Sequence, residues 1–360
     1  MKLLVGTTKG LVVFEEKDGE WSIKDHYFLG MPVSTIYVDE RNNIWWASLA
    51  HRHWGQKLHY SEDEGKTWPP VAPPKYPAGS LLASGKAAKL KKIWSIQADG
   101  KAGGKGIYVG TEPGGLFYKP DLSAPFSLVE SLWNHPSRSD NNQWFGAGRD
   151  HPFLHSIEIH PDNPDHIYIA VSCAGVFESK DGGKSWEPKN RGLIAAYLPN
   201  PDVEVGHDPH MMHICKSNPE VIWQQNHCGI FRSTDGGENW KLLSDPKKVP
   251  HYGFALTIDH DNPDRAYVIP ALSDEMRIAP DLALRVYLTE DGGRSWEALT
   301  KGLPQANCFD IIFRHSFDIA GQKLAFGSST GNLYLSEDGG ESWNCLSSSL
   351  ARIDSLCFIP

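Results

Sequence analysis

The chain has 360 residues, 40% hydrophobic and 22% charged, with a formal net charge of −9 at pH 7. That acidic balance argues against nucleic acid or an anionic membrane surface as the main partner. No apolar run approaches the ~18 residues of a membrane-spanning helix, and six cysteines without a CxxC pair suit reduced thiols.

Met1-Lys2-Leu3-Leu4-Val5-Gly6 runs directly into a strand pattern, so a cytoplasmic protein is expected. Helical periodicity is almost absent, and Gly (34) and Pro (25) punctuate short alternating runs, as in an all-β chain. Strands at 3–5 and 11–14 flank Gly6-Thr7-Thr8-Lys9-Gly10, followed by Asp18-Gly19-Glu20-Trp21. Inner strands are expected at 36–38, 93–97 and 309–313, with a Pro-rich stretch at 69–77.

A phrase Ser/Thr-x-Asp-x-Gly-x-x-Trp then recurs, beginning at Ser61, Ser179, Ser233, Thr289 and Ser336. Such recurrence signals a repeat architecture. Each copy follows a short strand pattern and therefore sits at a hairpin turn. Its Asp can accept hydrogen bonds from turn N–H groups, its Gly supplies a positive φ, and its Trp is expected to pack on the neighbouring unit. A second phrase joins the first two strands of several units: Asp162-Asn163-Pro164-Asp165, Ser217-Asn218-Pro219-Glu220 and Asp261-Asn262-Pro263-Asp264. The pattern predicts six four-stranded units and a split seventh, in which 353–358 matches the inner strand at 155–159. The expected architecture is an all-β, seven-bladed propeller forming one domain over 1–360, its first blade closed by a C-terminal strand at 352–360.

Strand alternation places the Asn-Pro turns and Asp boxes on one face. The other face receives the loops that carry His53 and Trp54, Glu112, Trp144, Arg149 and His151, His207 and His210, Gln225 and His227, Tyr252, and Asp274, Glu275 and Arg277. Nine of the 16 His fall in these loops or at the strand starts they feed, as a polar ligand pocket would need. Arg52, Arg149 and Arg277 could supply positive charge there. His207, His210, His213 and His227, with Asp208, form a set suited to a divalent zinc, manganese or iron ion, and His207, His210 and His227 are the expected ligands. A metal-free polar pocket and ordinary wall histidines remain open alternatives. Cys173 and Cys228, each before Gly-Val/Ile-Phe, read as small packing residues.

The boxes and the closure resemble the Asp-box (BNR) propellers, which include sialidases, xyloglucan-cleaving glycosidases, sortilin-type receptors and photosystem II assembly factors. Gly110-Thr111-Glu112-Pro113-Gly114-Gly115, Gly206-His207-Asp208-Pro209-His210 and Gln224-Gln225-Asn226-His227-Cys228-Gly229 are similar to bacterial BNR-repeat proteins labelled sialidase-like or glycosyl hydrolase. The Phe/Tyr-Arg-Ile-Pro motif of sialidases is absent. The resemblance implies a monomeric, glycoside-active hydrolase acting on a small polar or anionic carbohydrate. Glu112, Glu275, Asp274 and Tyr252 are its candidate catalytic groups. His53, Trp54, Trp144, Arg149, His151, Gln225 and Arg277 are its candidate ligand contacts. The alternatives are a non-catalytic binding or assembly propeller and a His-metal-dependent lyase or hydrolase.

Overall fold

The computed structural model describes residues 1–360 apart from Arg52, Asn142, Ala147 and Pro360. Short strands with apolar residues on both faces, such as Ile222–Asn226 and Ala266–Pro270, are wholly buried, as stacked sheets require. Five separate four-stranded sheets start with Val33–Asp39, Lys92–Ala98, Phe153–His160, Pro209–Ile214 and Gly253–Ile258. An eight-stranded sheet supplies two more sets of four, joined at a single parallel bridge between His315 and Ser355. The fold is a seven-bladed β-propeller. Ile353–Ile359 pairs antiparallel with Lys2–Thr7, placing Leu3 opposite Phe358 and Val5 opposite Leu356. The termini therefore complete one blade, as the sequence pattern predicts.

Two compact units divide the chain. One comprises Met1–Ile36, His210–Ser233 and Lys241–Pro360; the other comprises Tyr37–Pro209 and Thr234–Trp240. In the first, the core includes Leu3, Val5, Leu333 and Phe358 around the closing strand, and Tyr267, Phe317, Phe326 and Trp343 further along. In the second it includes Trp46, Ile93, Phe117 and Trp133, and Leu154, Ile169, Phe177 and Trp186. No helix among the described residues is long and apolar enough to cross a membrane.

The Asp boxes are turn staples. Ser61 Oγ donates to Asp63 Oδ1 at 2.8 Å and accepts from Gly65 N–H at 2.8 Å. The same carboxylate accepts the Thr67 N–H at 2.9 Å and the Thr67 hydroxyl at 2.7 Å. Those two bonds from Thr67 hold Asp63 down to about 2, and equivalent bonds from Ser185 do the same for Asp181. The box glycine takes a positive φ, 83° at Gly183 and 95° at Gly340, which a side chain would resist. The box Trp reaches the preceding blade: Trp240 Nε1 donates to Lys189 O at 2.8 Å, and Trp186 Nε1 donates to Ser131 Oγ at 3.3 Å.

Two departures from the sequence pattern matter below. The inner strand expected at 309–313 is Ile312–Ala320, and Phe309 is 61% exposed in the loop before it. Asp310 organises that loop by accepting from Thr330 Oγ1 and from Asn332 Nδ2. In the third blade, two short helical turns, Glu130–Trp133 and Pro136–Ser139, follow a strand pair that lacks a box.

Candidate functional site

The expected site residues form two clusters, one in each unit. In the unit containing residues 37–209, Glu112 ends the strand Ile107–Glu112 and is 3% exposed. Its Oε2 accepts from Arg149 Nε at 2.5 Å and from Trp94 Nε1 at 3.3 Å. Trp94 stacks on Phe153 with ring centroids 4.1 Å apart, and Lys92 Nζ lies 3.9 Å over its ring. Arg149 is half out in solvent, with its guanidinium 5.3 Å from the Trp94 ring. Glu112 thus anchors an arginine and an indole. The arrangement makes a cationic, aromatic ledge suited to contact with anionic or planar groups.

Other residues of this unit separate by depth. Trp54 is 73% exposed and His53 is exposed; the backbone N–H groups of both donate to His51 Nδ1 at 3.1 Å. His151 is half-buried. Trp144, expected as a ligand contact, is only 4% exposed. Its indole N–H donates to Ser137 Oγ at 2.9 Å and its ring packs on Phe177, so it belongs to the core. Arg52 lies outside the described residues.

In the other unit, His210, His227, Tyr252 and Phe254 form one aromatic cluster. His210 stacks on Phe254 at 4.7 Å and meets His227 and Tyr252 edge-on, each at 5.6 Å. His210 Nδ1 lies 2.6 Å from Gly253 O, and a carbonyl can only accept. The Nδ1 proton is thereby fixed, which leaves Nε2 as the lone-pair atom of the neutral ring. His227 Nε2 lies 3.6 Å from Asp274 Oδ2. Arg277 and Arg314 hold guanidinium carbons 5.4 and 5.1 Å from the Phe254 ring. Glu275 is exposed, its N–H bonded to Asp274 Oδ1 at 2.9 Å.

Two expected residues turn away from this cluster. Gln225 is buried and its Nε2 donates to the carbonyls of Asn226, Gly229 and His251, which makes it a strut of its loop rather than a ligand contact. His207 is fully buried with Nε2 2.6 Å from Val203 O, and burial pushes its pKa down. It does not join His210 and His227 as a ligand. Within this unit, His210 and His227 offer ring nitrogens within 4.8 Å of each other. Two imidazoles suit zinc or iron. Trp94, Lys92 and Phe254 escaped sequence reasoning. The signal that could have found them is their place at the start of inner strands, the position that also carries Phe153 and His155.

Comparison with known proteins follows the architecture more closely than the chemistry. A family model described as photosynthesis system II assembly factor YCF48 matches residues 151–360. The photosystem II assembly lipoprotein Ycf48 of Synechococcus sp. (strain CC9902) is 28% identical over 143 residues, covering 39% of this chain and 36% of that protein. The match thus spans about a third of the relative's own length. Among solved structures, a GH74 enzyme of Niastella koreensis superposes with a TM-score of 0.59 at 15% identity, over 95% of this chain and 51% of that one. A putative 6-phosphogluconolactonase from Bacteroides fragilis NCTC 9343 gives 0.60 at 14% identity, over 100% and 98%. YCF48 from Cyanidioschyzon merolae gives 0.54 at 12%, over 89% and 87%. At these identities the structures establish the fold alone. The cytoplasmic location expected from the opening residues is overturned by the Synechococcus relative, which is named a lipoprotein. With its family model covering more than half of the sequence, the chain belongs to the photosynthesis system II assembly factor YCF48 family.

Proposed function

We propose that this chain is a non-catalytic binding propeller that docks a polypeptide during assembly of a larger complex, as the name of its Synechococcus relative describes for photosystem II. The observation that carries the reading is the family match over 151–360. The state of the four candidate catalytic groups supports it. Glu112 is occupied by Arg149 and Trp94, Tyr252 is buried among His210, His227 and Phe254, and Asp274 and Glu275 are adjacent, exposed residues. Most glycoside hydrolases use two carboxyl groups facing each other across the scissile bond, and consecutive exposed acids do not supply that. The Arg149–Trp94 ledge and the exposed Trp54 have the composition of interface anchors.

The purified chain is expected to release no sugar from xyloglucan or sialosides and to capture photosystem assembly intermediates. Capture should fall at least about tenfold in Trp54→Ala at unchanged melting temperature, and likewise in the folded fraction of Arg149→Ala, which also loses stability because Glu112 is left unpaired. Sugar release above the buffer rate, abolished by Glu112→Gln, would replace this reading with the glycosidase one. A metal-dependent enzyme is favoured by one observation, the proximity of His210 and His227. Metal analysis of the same untagged preparation decides it: stoichiometric zinc, manganese or iron that is lost in His210→Ala supports it, and metal-free protein removes it.

A further inference from the structure

Blade packing does not account for the segment between the second and third blades, nor for the helical turns that follow the third. In the unit containing residues 37–209 these two insertions border an open cavity of about 530 Å³, within the range of small-ligand sites. Leu81, Leu82, Leu128 and the Trp133 ring supply apolar walls, and Glu130 and Arg138 also line it. The walls are internally braced. Leu82 N–H donates to Lys86 O and Ala88 N–H to Ser80 O, both at 2.8 Å, which closes a small hairpin. Trp133 is buried and packs on Tyr76 with centroids 4.8 Å apart.

Arg138 is the informative group. Its guanidinium lies 3.3 Å over the Trp133 ring, and it donates to Trp133 O at 2.7 Å and to Leu81 O at 2.8 Å. These are main-chain carbonyls, and no carboxylate among the described residues pairs with it. A guanidinium has five N–H donors, so three remain beyond these two bonds. Its burial is severe enough to push its pKa down to about 10. A half-buried cation that no carboxylate bonds, in a cavity with both polar and apolar walls, is a site for an anion. Glu130 restricts which anion, because it repels a dianion such as phosphate about twice as strongly as a single carboxylate.

We propose that this cavity is a second binding site, for a small monocarboxylate with an apolar or aromatic body. The carboxylate pairs with Arg138 and the body packs between Trp133 and the leucines. The site is separate from the Glu112–Arg149 ledge and from the His210 cluster, so it stands or falls independently of the proposed docking function.

The test is calorimetric titration of the full chain with 3-phenylpropionate and with its neutral analogue 3-phenylpropan-1-ol. The acid is expected to bind at least about tenfold more tightly than the alcohol. Arg138→Gln should erase that preference. Should Arg138→Gln fail to fold, Ser139→Trp carries the test, because Ser139 is an exposed lining residue whose enlargement fills the cavity. It should abolish binding of the acid at an unchanged melting temperature. Equal affinity for acid and alcohol, no binding of the acid in the millimolar range, or undiminished binding in Ser139→Trp would each overturn the proposal.

Discussion

Asp318 ties the C-terminal strand to the blade beside it, since its Oδ2 accepts the Phe358 N–H at 2.8 Å. Removal of the carboxyl from water raises its pKa from an ordinary 3.8 to about 6, against the opposing effect of that hydrogen bond. A carboxyl whose folded pKa is raised contributes stability that is complete below about pH 4 and is lost as the pH climbs through about 6. Asp318→Asn keeps an acceptor for Phe358 and removes the ionisation. It should match the parent near pH 4 and become more stable than it by up to about 3 kcal/mol at pH 8. Urea midpoints measured across that interval check this, and a constant difference at all pH values would show that Asp318 does not titrate there. The Asp boxes were legible at this scale because every atom that matters lies within seven residues. Asp318 was not, because its environment is made by a strand forty positions away. Trp144, Gln225 and His207 show the same limit: alternation tells which face a loop reaches, while main-chain carbonyls and ring packing decide whether a side chain points out of it.

Among the elements, Ile353–Ile359 has the clearest energetic role. It buries Ile353, Leu356 and Phe358 against the first strand and fills an edge that would otherwise present unpaired backbone groups. Deleting 352–360 should lower the melting temperature by on the order of 10 °C, from three apolar side chains at about 1.5–3 kcal/mol each. An unchanged melting curve would refute the closure. This strand could be read from sequence because it repeats the pattern at 155–159, and repetition substitutes for long-range information. The strand at Ile312–Ala320 could not be bounded so well, because Phe309 looks like a core residue and is held outside by the loop around Asp310. The cavity-forming insertions were visible only as a Pro-rich stretch and a missing box. Nothing repeats there, so nothing indicated what they build.

For the molecule as a whole, the periodic part of the sequence determined the blades and their order, while the functional reading came through family membership. The two compact units are each assembled from separate stretches of chain, and the chain passes between them at 36/37, 209/210, 233/234 and 240/241. Neither unit is a continuous piece that could be cut free. One domain over 1–360 therefore remains our proposal, and scanning calorimetry should show one transition whose calorimetric and van't Hoff enthalpies agree. Two resolved transitions would divide the chain thermodynamically as well as by contacts.

The shared blade also sets a timetable for biosynthesis. Lys2–Thr7 leaves the ribosome roughly 350 residues before the strand that covers its inner edge, a wait of ~20–70 s at elongation rates of ~5–20 residues per second. Throughout that interval Leu3, Leu4 and Val5 belong to an open sheet edge that any other extended chain could occupy. The exposed edge is an aggregation hazard for the nascent chain until Ile353–Ile359 arrives.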